Sequence, residues 1–178
     1  MYVRILAPPW DGFCRRRTYG GCMVNAELVV TRRASEQDVD TLVLLRTEMF
    51  RAMGTPSLDG SWAEGARLWF LERIHTSEYG IFVAELDGRV VACSVAAVRD
   101  AAPSPSNPCG RDVLISNVCT FPAQRGRGYG QRVFEAALAW ARGTGIRRAE
   151  LMSTAAGRGM YERAGFVETT FPAMRADI

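Results

Sequence analysis

The chain has 178 residues, one domain's worth of length, and its 48% hydrophobic and 23% charged residues are an ordinary balance for a globular core. All 22 basic residues are Arg, which excludes a Lys-based phosphate loop and any Lys nucleophile; the single His75 excludes zinc sites with two or more His ligands and leaves a Ser-His-Asp triad only around itself. The net charge of +3 sits in residues 1–22, where Arg4, Arg15, Arg16 and Arg17 face Asp11; the other 156 residues balance 18 Arg against 18 acids and offer no global field for nucleic acid.

Residues 1–22 hold Pro8-Pro9, the Arg15–Arg17 triplet and Gly20-Gly21 without periodicity, and read as a disordered extension ahead of a domain at 23–178. Ile5-Leu6-Ala7 stops at Pro8, too short for a signal peptide. Glu27–Arg33 reads as a strand. Ser35-Glu36-Gln37-Asp38 has capping-box form, and Val39, Leu42, Leu45 and Met49 then recur at helical spacing until Gly54. A second helix starts near Ser61 and runs to Ile74. Its Trp62, Trp69 and Phe70 read most simply as core. Ile81–Leu86, the turn Asp87-Gly88 and Arg89–Val98 form a hairpin.

Asp100–Asp112, with three Pro and a Gly, is a loop, and Val113–Phe121 is a further strand. Gly128–Arg142 is an amphipathic helix, Glu150–Ser153 a short strand, residues 156–164 a short helix and Phe166–Phe171 a last strand. This order predicts an α/β (α+β) mixed sheet with helices on both faces. The five Cys (14, 22, 93, 109 and 119) are odd in number and form no C-x-x-C, which fits a reduced cytoplasmic protein. No apolar run approaches the ~20 residues of a membrane span.

Arg125-Gly126-Arg127-Gly128-Tyr129-Gly130 joins a strand to an amphipathic helix. Glycines bare the backbone, so N–H groups can converge on an anion at the helix start, with Arg125, Arg127 and Arg132 as charge-assisted donors. The bland alternative is a tight turn with solvated arginines. A Rossmann spacing fails because position 131 is Gln131.

Together with the preceding strand Leu114–Thr120 and Phe121-Pro122, the pattern Arg125-x-x-Gly128-x-Gly130 resembles the acetyl-CoA signature of the GNAT superfamily of N-acetyltransferases. Gly157–Phe166, which contains Tyr161 and Gly165-Phe166, is similar to its later motif. The resemblance spans roughly residues 27–171. It implies a GNAT-like fold with a central, mostly antiparallel mixed sheet. Acetyl-CoA would lie between strands four and five, on the main chain of Val118, Cys119 and Thr120, with its diphosphate on the amides of Gly126, Arg127, Gly128, Tyr129, Gly130 and Gln131 beside Arg125. It implies Val118 N–H as oxyanion donor and Tyr161 as general acid. A packed aromatic is the plain alternative for Tyr161.

Two positions depart from the family. Thr154, beside Ser153, stands where an Asn often holds the pantetheine. Leu114 stands where some members carry a Glu base. Glu48, Glu85, Asp112 or a water chain could deprotonate the amine, and these stay open. Asn117 would face the acceptor if its strand keeps alternating, or would be a buried, hydrogen-bonded Asn. Glu48 and Trp62 are further acceptor candidates, in a pocket expected from the first two helices and the last strand. An acyl-Cys119 intermediate lacks a flanking His. The expected activity is acetylation of a primary amine on a small molecule, with no metal. Alternatives are a protein or peptide amine, or a non-catalytic CoA-binding sensor, which the missing carboxylate at Leu114 motivates. Homodimers are common in the family.

Overall fold

The computed structural model describes residues 27–55, 59–170, 173–174 and 176. The extension expected at 1–22 lies outside the described residues. The elements run β1 Val29–Arg33, a 3-10 turn Glu36–Asp38, α1 Val39–Ala52, α2 Ala63–Arg73, β2 Tyr79–Leu86, β3 Arg89–Asp100 and β4 Arg111–Thr120. A second 3-10 turn at Pro122–Gln124 follows, then α3 Tyr129–Gly143, β5 Ala149–Leu151 and α4 Ala155–Arg163. One sheet takes the strands in order β1-β2-β3-β4-β5, the first four antiparallel and β5 parallel to β4. Within these residues no helix is long and apolar enough to cross a membrane.

Local chemistry starts and stops these elements. The Asp38 carboxylate accepts from the N–H and hydroxyl of Ser35 at 2.7 and 3.0 Å, which fixes the entry to α1. Asp87 and Gly88 both take positive φ, the pair a two-residue hairpin turn needs between β2 and β3. Val133, Phe134, Ala137, Leu138 and Ala141 recur at helical spacing and are the buried stripe of α3.

Helices cover both faces. Leu42 and Leu45 of α1, with Phe70 and Ile74 at α2, pack on Val83 and Val95. On the opposite face Phe134 and Leu138 of α3, with Tyr161 of α4, pack on Ala96, Val113 and Ile115. Full burial of such side chains is worth about 1.5–3 kcal/mol each.

One element differs. The β-branched run Phe166–Phe171 suggested a strand, but Phe166–Thr170 form none, and Phe171 is outside the described residues. Phe166 instead closes α4, its N–H donating to Tyr161 O at 3.1 Å and its ring lying 6.0 Å from that of Phe134. Val167 is then left exposed, so the segment follows the helix end and adds nothing to the sheet.

Candidate active site

β5 pairs with β4 only along Val113, Ile115 and the Leu114 between them. From Ser116 to Thr120, β4 has no strand on that side among the described residues. The chain leaving β5 runs through the exposed Met152 to Thr154, the exposed N-cap of α4. β4 therefore presents an open edge where the two strands part.

A bulge lies in that edge. β3–β4 pairing shifts between Cys93↔Cys119 and Val95↔Ser116, so Ser94 faces both Asn117 and Val118. Asn117 takes φ 52°, a left-handed conformation that Asn tolerates better than most residues. Val113 and Ile115 face α3 and α4, whereas Cys119 joins the core under α1 and α2. Ser116 and Asn117, adjacent in sequence, line one cavity. Asn117 thus reaches the α1–α2 side because the bulge switches the face its side chain takes, and it is also buried and hydrogen-bonded. Of the two alternatives drawn from sequence, burial and hydrogen bonding are observed.

At the turn after β4, Gly126 and Gly128 take φ 78° and 81°, and a Cβ at either would meet nothing within 4 Å. Gly128 is the N-cap of α3, and no N–H from Gly128 to Gln131 hydrogen-bonds to an acceptor among the described residues. These are the free donors of a helix start, where the dipole also favours an anion. Gly130 packs close, its Cβ position 3.2 Å from Thr120 Oγ1. The Arg125 Nε donates to Thr120 O at 3.2 Å, Arg127 lies 3.4 Å from Glu27, and Gln131 donates to Glu135. The Tyr129 ring is buried among Ala84, Leu86, Val91 and Val133, so only its main chain serves the turn.

Tyr161 stands on the α3–α4 face, edge-on to Phe134 with centroids 5.0 Å apart, in the cluster that also takes in Val118 and Leu151. Its hydroxyl makes no hydrogen bond among the described residues. Burial raises its pKa above the ordinary phenol value, which keeps the proton on the oxygen.

A cavity of about 560 Å³ opens on the other face, between α1, α2 and strands β2–β4. Trp62, Trp69, Phe70 and Tyr79 form its aromatic wall, and Leu114, Ser116 and Asn117 line it from β4. Trp62 and Trp69 are therefore cavity walls as well as packing residues. No residue of 166–170 lines the cavity, and Phe171, where the expected last strand ends, lies outside the described residues.

The carboxylates weighed as bases are all paired elsewhere. Glu48 bonds Arg51, Glu85 bonds Arg32, and Asp112 accepts from Arg99 at 2.6 Å. Among the described residues no Asp or Glu lines the cavity. His75 is exposed against Glu36, and burial raises the thiol pKa of Cys119, against its use as a nucleophile. Among the described residues no cluster of His, Cys, Asp and Glu could hold a metal.

Sequence reading missed Arg46. It lines the cavity from α1, donates to Asn117 Oδ1 at 2.5 Å and lies over the Phe50 ring at 4.8 Å. The signal was present: position 46 is the fourth residue after Leu42 and the third before Met49, in the middle of the apolar stripe.

Fold and site together place a split sheet edge beside an amide-lined helix start. The model of the Acetyltransferase (GNAT) family matches residues 43–166, and the chain belongs to that family. A GCN5-related N-acetyltransferase from Ralstonia eutropha JMP134 is 29% identical, with 83% of this chain and 98% of that one covered at a TM-score of 0.74. A predicted acetyltransferase from Clostridium acetobutylicum, solved with acetyl-CoA, is 23% identical over 84% and 96% of the chains at 0.75. Glucosamine-6-phosphate N-acetyltransferase from Arabidopsis thaliana is 19% identical over 84% and 99% at 0.67. No curated protein matches.

Proposed function

We propose that this chain transfers the acetyl group of acetyl-CoA to a primary amine of a small molecule. The observation that carries the reading is the run of unpartnered amides from Gly128 to Gln131 beside the open edge of β4. Acetyl-CoA fits the donors present: the Gly126–Gln131 main chain suits its diphosphate. The edge of β4 at Val118–Thr120 that β5 leaves uncovered, with Thr120 O engaged by Arg125 Nε and Thr154 opposite, suits an extended pantetheine arm.

When bound, the thioester supplies an activated acetyl carbon. The amine nitrogen bonds to that carbon, the carbon–sulfur bond breaks, and the sulfur takes a proton. Val118 N–H donates to the carbonyl oxygen as it gains charge, a type of contact worth about 3 kcal/mol. Tyr161 gives its hydroxyl proton to the departing sulfur; its raised pKa keeps that proton available. The nitrogen loses its proton to water, and solvent returns one to the Tyr161 oxygen, so amine and thioester leave as amide and thiol. With no carboxylate in the cavity lining, the aromatic walls aid deprotonation by desolvating the ammonium, which lowers its pKa.

Thiol release from acetyl-CoA across a panel of amines tests the reaction. Tyr161→Phe should lower kcat by about 10²–10⁴-fold with the fold intact. Gly128→Glu should abolish acetyl-CoA binding, while Gly128→Ala, equally strained but uncharged, should bind more tightly than Gly128→Glu. Equal affinity for wild type and Gly128→Glu would contradict the site. The lack of an acid in the cavity also motivates a second reading, CoA binding without turnover, which predicts binding but no thiol release on any amine.

A further inference from the structure

We infer that the acceptor is an amino acid with an apolar side chain, its carboxylate paired with Arg46 and its side chain set against Trp62, Trp69, Phe70 and Tyr79. The inference rests on the proposed acetyl transfer. Its physical basis is an uncompensated cation. Among the described residues, Arg46 and Arg99 are the two basic residues in the cavity lining, and no acid lines it. Arg99 is neutralised by Asp112 and Glu150, at 2.6 and 2.7 Å. Arg46 has no carboxylate within salt-bridge distance among the described residues; its contacts are the neutral Asn117 amide and the Phe50 ring. The only acidic side chains outside those residues are Asp11 and Asp177.

A half-buried guanidinium is costly to leave unpaired, and a carboxylate is the group its planar fork fits best. Desolvation already lowers the Arg46 pKa, the mark of a cation without a countercharge. The charge count selects the anion. One free guanidinium balances a carboxylate, whereas a phosphomonoester carries about −1.5 to −2 and would stay partly unneutralised. A polycationic amine meets two arginines and no acid.

Position selects the distance between carboxylate and amine. Arg46 binds Asn117, the residue directly before Val118, whose N–H is the proposed carbonyl donor. An acceptor held at Arg46 therefore has its carboxylate beside the same stretch of β4 that carries the proposed carbonyl donor, which suits a short spacing between carboxylate and amine, as in an α-amino acid. The rest of the molecule then faces the aromatic wall, where an apolar side chain is favoured.

The test compares L-leucine, L-methionine, L-phenylalanine and L-tryptophan with their carboxamides, and with O-phosphoethanolamine and spermidine, by thiol release. Wild type should prefer at least one acid over its amide by about tenfold or more in kcat/KM. Arg46→Met should raise KM for that acid by about 10–100-fold and collapse the preference, with partial recovery in Arg46→Lys. The acid–amide comparison in wild type needs no variant, so it stands even if Arg46→Met misfolds. Amides, phosphoethanolamine or spermidine used as well as the acids would overturn the inference while leaving acetyl transfer intact. If no amine is acetylated, calorimetry with 3-phenylpropanoate, which lacks the amine, decides separately. Binding that is lost in Arg46→Met upholds the carboxylate site although transfer fails, and absence of binding to wild type overturns it.

Discussion

Asp38 shows how one side chain ties three parts of the chain together. Its carboxylate accepts from the Arg32 guanidinium at 2.7 and 3.0 Å and from the Ser35 N–H and hydroxyl, while Arg32 also reaches Glu85 on β2. Burial alone would raise its pKa; the hydrogen bonds from Arg32 and Ser35 outweigh that and hold it below the ordinary value. The folded state then favours the ionised form. Its contribution is complete above the unfolded value of about 3.9 and is lost as pH falls through the lower folded value. Asp38→Asn should cost about 1–3 kcal/mol at pH 7, and the gap from wild type should narrow as pH falls below about 4. Urea unfolding at several pH values measures both; a gap constant with pH would reduce the role to packing. This residue was readable from sequence as part of a capping box, but its Arg32 partner was not, because a contact between separate elements has no signature in local spacing. Arg46 was overlooked for a different reason. An Arg inside an apolar stripe reads as noise in the periodicity unless one asks what an unpaired cation would do on a buried face.

At the scale of elements, the packing of α3 on β2 runs through one close approach. A Cβ on Gly80 would fall 2.6 Å from Trp140 Cδ2 and 2.8 Å from its Cε3, so the indole occupies the space a side chain would need. Gly80→Ala should destabilise by about 1–3 kcal/mol through overpacking. Gly65→Ala, in α2 with nothing within 4 Å of the new Cβ, should stabilise by about 0.5–1 kcal/mol through helix propensity. Thermal unfolding of the two variants would have to move in opposite directions, and a neutral Gly80→Ala would mean that the helix can slide on the sheet. The elements themselves were largely legible because periods of 3.6 and 2 report burial directly, as in α3 and the Asp87-Gly88 hairpin. The misread elements are those where tertiary contact overrides local pattern. Phe166–Thr170 has strand composition but pairs with no strand among the described residues, and Phe166 is drawn instead onto Phe134 and Tyr161. The bulge at Asn117 follows the same logic. It adds one residue to β4 without breaking the buried–exposed alternation, so nothing in the hydrophobic pattern marks the change of face.

At the scale of the molecule, the sheet is joined unevenly. β1 to β4 form an antiparallel unit with long registers, whereas β5 and α4 attach through three paired residues and the Phe134–Tyr161–Phe166 contacts. Local opening should therefore start at β5 and α4, the part with the least shared hydrogen bonding. A ligand that bridges the open β4 edge, the head of α3 and the Thr154 side of the gap would join this part to the rest. Acetyl-CoA at 100 times its Kd should then add about 2.7 kcal/mol to global stability. Hydrogen exchange should slow most at 116–120, 128–131 and 149–161, and little across α1 and α2. An amino acid acceptor, by contrast, should protect α1 and α2, because its cavity is lined from those helices. Gly128→Glu should lose the first pattern and Arg46→Met the second. Protection by acetyl-CoA confined to α1 and α2 would place the thioester in the aromatic cavity, and the two sites would have to be exchanged.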